Sequence, residues 1–337
     1  MNKIIGSLIL AIAIAIVAVV LFLAGDEVEK GKVANFEIKK GQNIWITAGN
    51  LKKEGIIESK IYFVWYVYKN DYRGKIKAGK YILSSDLKTS EVVMILVAGD
   101  KGEDKQAKKI TFPEGFSLKQ MSERLAENGF AGDKFMELSK EPQYFQDKYQ
   151  FSFLTSIPES KDLEGYLFPD TYFFFIDEEA EIIIKKMLEN FENKVSADLQ
   201  NEIQRQKKSI FEIITMPSII EKEVKTPEDK KVVSGIFYNR KESGQAFQSC
   251  ATLAFILGEN KKQYSYEDTQ IDSPYNTYLN AGLPPGPIAN PGLDSIMAAI
   301  YPTQTDYVYF LSNAETGETV FSTTLEEHNL NKDRNGL

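Results

Sequence analysis

The sequence predicts an α+β protein in three parts: an N-terminal transmembrane helix, a small α/β unit, and a larger mixed α/β domain. Three observations carry this. The chain begins with a long uncharged apolar run, a pattern of strand, glycine turn and helix then occurs twice, and the C-terminal half alternates amphipathic helical segments with loops rich in Pro and Gly. With 337 residues there is length for two or three domains. The expected boundaries are 1-25 for the anchor, 26-104 for the small domain, 105-160 for a second small α/β unit and its connection, and 161-337 for the largest domain.

Ile4 to Ala24 carries no charge over 21 positions, which matches the ~20 residues a helix needs to cross the hydrocarbon layer. A cleaved signal peptide has a shorter apolar core of ~7 to 15 residues and a small-x-small site after it, so an uncleaved anchor is expected. Lys3 precedes the run and Asp26, Glu27 and Glu29 follow it. That asymmetry predicts a single-pass protein of the cell (inner) membrane with a cytoplasmic N-terminus and the rest extracytoplasmic. Asp26 to Lys32 is short and charged and suits a stalk. The single cysteine, Cys250, excludes an intramolecular disulfide, and no Cys near the span offers a lipoprotein anchor. A net charge of −8 argues against a nucleic-acid partner, which calls for a basic face; Lys108-Lys109 and Lys207-Lys208 read as solvated flanks.

The internal repeat comes next. Ile38-Lys39-Lys40-Gly41 is followed by Ile44, Leu51 and Gly55, and about seventy residues later Phe112-Pro113-Glu114-Gly115 is followed by Leu118, Leu125 and Gly129 at the same offsets. Each copy reads as a strand, a glycine turn and a helix closed by glycine. Between the copies, Ile61 to Tyr68 has a strand-like composition of aromatic and β-branched residues, Ala78 to Leu83 reads as a turn into a strand, and Ser90 to Val97 has helical spacing. The first unit, Val33 to Gly99, resembles a LysM-like module of the kind that holds cell-wall glycans. Its aromatics Trp45, Tyr62, Trp65 and Tyr66 read first as core, with stacking on sugar rings as the alternative. Farther on, Asp177 to Gln206 predicts amphipathic helices and Gly282 to Gly292 a Pro-rigid loop. Asp294 to Ile300 reads as a helix, and Tyr307 to Leu311 with Thr319 to Phe321 as a hairpin.

The segment Ile213-Ile214-Thr215-Met216-Pro217-Ser218-Ile219-Ile220-Glu221-Lys222-Glu223-Val224 pushes a carboxylate into an apolar run. Held among Ile and Met, such a group loses the solvation of its anion and can reach neutral pH still protonated, ready to give its proton to the oxygen linking two sugars. On a helix, Glu221 sits beside Pro217, Ser218 and Val224, and Glu223 falls about 200° further round. Glu221 therefore has the more apolar surroundings. Pro217 suits a first helical turn, whose N-terminus would favour the anion and oppose desolvation. A bland reading stands beside this one, in which Glu221 is an ordinary hydrogen-bonded helix residue.

Five further motifs surround this segment in order: Leu163-Glu164-Gly165-Tyr166-Leu167-Phe168-Pro169-Asp170-Thr171-Tyr172 before it, then Phe237-Tyr238-Asn239-Arg240, Phe247-Gln248-Ser249, Asp272-Ser273-Pro274-Tyr275-Asn276-Thr277-Tyr278, and the Gly282 to Gly292 loop. Together they resemble the YceG-like family of endolytic murein transglycosylases, also called MltG, over nearly the whole chain. The resemblance implies a membrane-anchored lyase that cleaves the β-1,4 bond from MurNAc to GlcNAc inside nascent peptidoglycan strands. Such an enzyme leaves a 1,6-anhydro-MurNAc end and terminates strand elongation, with no cofactor and no metal. Glycan strands are the implied partner, with peptidoglycan synthases beyond them.

The family's catalytic glutamate maps to Glu221, which would protonate the leaving oxygen and then act as base on the sugar's own C6 hydroxyl. A second carboxylate is then unnecessary, the substrate's N-acetyl group giving its help. Glu164, Tyr166, Asp170 and Thr171 are expected along the glycan cleft, with Ser218 beside the glutamate. Asn239, Arg240, Gln248 and Ser249 offer donors for sugar oxygens, or else tie helices together. Tyr275, Asn276 and Thr277 suit a sugar-binding rim, and the single histidine, His328, matches the family's terminal pattern. Where relatives carry Asp-Pro after the Gln-Ser or Gln-Thr pair, this chain has Cys250-Ala251, which removes an acid and a rigid turn. Two other readings share the anchor and the LysM-like unit: a hydrolytic muramidase that uses water, and a non-catalytic peptidoglycan-binding scaffold.

Overall fold

Residues 33–335, apart from 86, 100–106, 262 and 313–316, are described by a computed structural model. The expected anchor and stalk lie outside these residues. Among the described residues no helix is long and apolar enough to cross a membrane. The chain divides into two compact units between Ala107 and Lys108.

In the first unit, β1 (Val33–Ile38) pairs antiparallel with β2 (Gly79–Ser84), with Phe36 opposite Tyr81 and Asn35 opposite Ile82. Two strands alone are marginal in water. Here helices α1 (Ile44–Lys53), α2 (Lys60–Lys69) and α3 (Thr89–Ala98) complete a core of Phe36, Ile38, Leu51, Phe63, Val67, Tyr81, Leu83, Val92 and Leu96. The stretch with strand-like composition is thus the helix α2. Its buried residues, Phe63, Val64 and Val67, recur at helical rather than alternating spacing, and Ser59 caps it by accepting from the Tyr62 N–H at 3.2 Å. The expected core aromatics face outward: Trp45 is 51% exposed, Tyr62 45% and Trp65 49%.

The repeat is present as read. The turn glycines Gly41 and Gly115 have φ of 78° and 79°, and the closing glycines Gly55 and Gly129 have 72° and 85°. In both copies the residue after the closing glycine donates back into the last helical turn, Ile56 to Leu51 at 2.9 Å and Phe130 to Leu125 at 3.0 Å. Such left-handed positions favour glycine because it has no Cβ.

In the second unit, β3 (Ala107–Thr111) pairs with β4 (Thr171–Phe175), bringing residues far apart in the chain into one sheet. Between them lie α4 (Leu118–Glu127), α5 (Gly132–Leu138), α6 (Pro142–Tyr149) and a 3-10 turn (Ser152–Ser156). One apolar core runs from Ile110 to Ile300, so the segment expected as a second small unit shares its interior with the rest. After β4 come α7 (Ala180–Lys194), α8 (Ala197–Arg205), α9 (Ile210–Glu223), α10 (Pro227–Glu242), α11 (Cys250–Leu257), α12 (Tyr266–Thr269) and α13 (Leu293–Ile300). The hairpin β5 (Tyr309–Ser312) and β6 (Thr319–Ser322) follows, then α14 (Leu325–Arg334).

Helix α9 is the spine of this unit. Ile213 to Ile220 are all buried, as expected of a helix enclosed on every side, and it packs against α10 and α13. It starts at a reciprocal cap in which Ser209 and Glu212 each accept the other's backbone N–H at 3.1 Å. Pro217 therefore sits mid-helix rather than in the first turn, and Glu221 belongs to the last turn. The proline forfeits one ladder bond at a cost of about 3 kcal/mol, which the surrounding packing has to offset. The Pro-rich loop lies along this helix: Ile288 N–H donates to Ser218 Oγ at 3.0 Å, and Gly165 lies so close that a Cβ there would stand 2.7 Å from Ile214 and Pro287.

Candidate active site

The two glutamates of the Glu221-Lys222-Glu223 segment look into different surroundings. Glu221 Oε1 accepts from Lys230 Nζ at 2.8 Å, and its Oε2 accepts from the Gly292 N–H at 2.9 Å and from Ser295 Oγ at 2.6 Å. Both charged side chains are buried, 7% exposed for Glu221 and 4% for Lys230. The apolar pocket expected around this carboxylate is absent. Three donors meet it instead, one of them a lysine and two of them from the start of α13, so Glu221 joins α9, α10 and α13 through a neutralised pair.

Glu114, in the turn after β3, approaches the same lysine at 4.0 Å and is half exposed. Burial and then the charge of Glu221 raise its pKa, against the pull of Lys230. Its carboxylate lies against Gly292, where a Cβ would come within 1.9 Å of Oε1. Gly292→Ala is expected to fold with a loss of about 1 kcal/mol. A crystal structure of that variant should show Glu114 turned toward solvent and the Glu221 to Lys230 pair intact.

Glu223 is the last residue of α9 and meets a different set of groups. Ser249 Oγ donates to its Oε1, and the Ala251 N–H donates to its carboxylate. Desolvation outweighs these two bonds and the nearby Arg240 charge, and raises the Glu223 pKa. The position adds to this, because the C-terminal end of a helix disfavours an anion. Ser249 occupies the N-cap of α11 but its hydroxyl makes no capping bond. Glu223 receives the Ala251 N–H in its place and caps α11 from outside.

The polar residues expected in the cleft divide between this neighbourhood and structural duties. Thr277 Oγ1 accepts from the Ser249 N–H at 3.1 Å, and Gln248, exposed and with φ of 53°, donates its N–H to Thr277 O at 2.9 Å. Tyr278 joins them through its hydroxyl, 3.1 Å from Cys250 Sγ, so the chain's departure from the Asp-Pro pattern lies beside Glu223. Asn276 is buried and shapes this loop, donating to Thr269 O and Ile271 O. Tyr275 packs on Phe255 and places its hydroxyl 3.5 Å from Lys161 Nζ. Arg240 donates to Phe247 O at 2.5 Å and Val308 O at 2.7 Å, and Asn239 to Thr305 O at 3.0 Å. Both thus tie backbone segments together, and Arg240 also lends its charge to the Glu223 surroundings. His328 stacks on Tyr309 at 5.1 Å, with its pKa lowered by burial and then by Lys332 and Arg240.

Other expectations are corrected. Tyr166 is fully buried between Phe153 and Phe191, a core residue and not a cleft residue. Glu164 is also buried and accepts from the Leu118 N–H at the start of α4 and from Asn290 Nδ2 at 2.8 Å. Burial pushes its pKa up to about 8. It fastens the second repeat to the Pro-rich loop, because Asn290 itself accepts from Leu167 and exchanges backbone bonds with Gly115 and Phe116. Ser218 is buried and spent on Thr215 O and Ile288 N–H. Asp170 precedes β4 and Thr171 starts it, Asp170 accepting from Asn190 and Thr171 bonding Thr111; Asp170 is close enough for its charge to act on Glu114.

The sequence profile of the YceG-like family matches residues 36–334 of this chain. The chain belongs to the YceG-like family. A relative from Bacillus subtilis (strain 168), named endolytic murein transglycosylase, is 34% identical over 319 residues, covering 92% of this chain and 87% of the relative. A second, from Streptococcus pneumoniae serotype 2 and of the same name, is 29% identical over 89% of this chain and 58% of its own length. The crystal structure of a yceG-like protein from Listeria monocytogenes is 35% identical and superposes with a TM-score of 0.61, covering 90% of this chain and all of that one.

Within this YceG-like chain, sequence reasoning passes over Glu223 and misses Lys230, Ser295 and Glu114, the groups gathered around Glu221. Glu223 stands in the very segment that draws attention, but on its less apolar helix face. Lys230 follows a recognisable helix start, Thr226-Pro227, but no sequence pattern says that it reaches back to Glu221.

Proposed function

We propose that this protein is an endolytic murein transglycosylase, with Glu223 rather than Glu221 as its acid and base. One observation carries the choice of residue: Glu223 is a desolvated carboxyl of raised pKa bonded by Ser249, with Arg240 and Tyr278 near enough to act on its charge, whereas Glu221 is paired with a buried lysine. A carboxyl whose pKa is raised by desolvation holds its proton to higher pH than an exposed one and is suited to protonate a leaving oxygen.

In the reaction, the Glu223 carboxyl gives its proton to the oxygen between MurNAc C1 and GlcNAc C4, and the C1–O bond breaks. The carboxylate then takes the proton of the MurNAc C6 hydroxyl as O6 bonds to C1. The 1,6-anhydro end forms, no water is consumed, and the proton is back on Glu223. Ser249 and the Ala251 N–H position the carboxyl. The second unit, from Lys108 on, thus acts on glycan strands outside the cytoplasm, held to the membrane by Ile4 to Ala24, where peptidoglycan synthases would supply the nascent strands.

Digestion of purified glycan strands, with both new ends identified by mass, tests this reading. The expected product end is lighter by one water than the end a muramidase leaves. A reducing end would move the assignment to a hydrolase, and intact strands would favour a binding scaffold. The pH profile gives a further check. Activity needs the protonated acid and so falls as pH rises through the Glu223 pKa. Ser249→Ala removes a donor that stabilises the anion, so the alkaline limb should move to higher pH. A limb that stays in place would show that Ser249 does not act on the titrating group.

A further inference from the structure

Helix α2 turns two unlike faces outward and inward. Phe63, Val64 and Val67 enter the core of the first unit, while Tyr62, Trp65, Tyr66 and Lys69, at helical spacing, form the opposite face. On that face the rings make a continuous ladder: Trp65 to Tyr62 at 5.6 Å, Tyr62 to Tyr66 at 6.3 Å, and Tyr66 to Tyr72 beyond the helix end at 6.5 Å. Three cations lie over it or beside it. Lys69 stands 4.7 Å above Trp65, Arg73 lies 4.9 Å above Tyr68, and Lys75 lies 5.9 Å above Tyr72.

We propose that this aromatic and basic face of α2 lies in the headgroup layer of an anionic phospholipid membrane. Tyr and Trp concentrate where a protein surface meets the boundary between hydrocarbon and water, and Lys and Arg reach from there to lipid phosphates. The charge of the unit fits such a partner. Val33 to Gly99 holds eleven Lys and Arg against six Asp and Glu, although the chain as a whole is at −8.

Tether length fits as well. Only eight residues, 25 to 32, separate the apolar run from Val33. At ~3.3–3.6 Å per residue they span at most ~30 Å, about the diameter of a unit this size, which therefore cannot leave the bilayer surface by more than its own width. A glycan strand is the less suited occupant. It stacks on the flat faces of aromatic rings, and here those faces are engaged by neighbouring rings and cations. The proposal rests on the anchor reading of Ile4 to Ala24 and is independent of the chemistry at Glu223.

The two tryptophans of the chain, Trp45 and Trp65, both lie in this unit, which makes the test direct. The full-length chain carrying Trp45→Phe, so that Trp65 is the sole tryptophan, is reconstituted into vesicles of phosphatidylglycerol and phosphatidylcholine with and without bromine on the upper acyl chain. The expected result is loss of most Trp65 emission with brominated phosphatidylglycerol. That loss should be abolished in Lys69→Glu/Arg73→Glu/Lys75→Glu, while the same triple variant still cleaves soluble glycan strands at the parent's rate. This last readout keeps a failure here separate from a failure of the transglycosylase reading. Emission that ignores brominated lipid and is quenched by aqueous iodide overturns the proposal. So does failure of the chain to float with the vesicles, and so does a Trp65 response to glycan strands alone.

Discussion

Glu223→Gln is expected to slow glycan cleavage by about 10²- to 10⁴-fold, the range that a positioned acid and base contributes, and to leave the fold as stable as the parent. Gln keeps the shape of the side chain and an oxygen that can accept from Ser249 and Ala251, but has no proton to give. The desolvated carboxyl is a burden on stability in its charged form, so neutralising it costs the fold little. Turnover on purified strands and a thermal melt of the same preparation check both halves. Full activity in Glu223→Gln would falsify the assignment of this residue.

The second large effect concerns the neighbouring glutamate and has the opposite character. Glu221→Gln or Lys230→Met, each alone, should cost about 3–5 kcal/mol, because each leaves one buried charge without its close partner, Glu114 lying farther from Lys230 at 4.0 Å and half exposed. The double variant should recover much of that loss, since it removes both charges at once. Urea unfolding of the four proteins closes the cycle and reads the coupling. The pair joins the last turn of α9 to α10 and to the start of α13. Folded Glu221→Gln is therefore expected to retain turnover below its lowered melting point. If Glu221→Gln were fully stable and inert, the roles of the two glutamates would have to be exchanged.

Local chemistry made much of this fold legible. Gly41, Gly55, Gly115 and Gly129 each stand where the backbone needs positive φ, so two equal spacings of glycine were enough to read two copies of one turn and helix. The hairpin and the helix from Leu293 showed through their alternation and their flanking turns. Composition misled where it was taken for periodicity. Ile61 to Tyr68 holds strand-forming residues, but the three that are buried recur at helical spacing, and the rest face outward for reasons a core-seeking reading does not supply. Pro217 misled in the same way, because a proline usually opens a helix and in this one the Ser209 and Glu212 cap had already done so.

The site was less legible because its decisive partners are remote in the chain. The apolar sequence around Glu221 describes the backbone's neighbours, whereas the carboxylate itself extends to Lys230, Gly292 and Ser295, three donors brought in by other helices. Glu164 and Tyr166 are expected in the cleft from a resemblance, and the structure spends both on holding segments together or filling the core.

In the proposed reaction the Glu223 carboxylate both exchanges the proton and receives the Ala251 N–H in the first turn of α11, so chemistry and mechanics share an atom group. Each protonation of Glu223 then leaves a neutral acceptor in place of an anionic one at the start of α11, where Ser249 makes no capping bond, and each deprotonation restores the charge. The Ala251 N–H is then expected to be held more tightly by the carboxylate than by the acid, once per strand cut, in step with the proton.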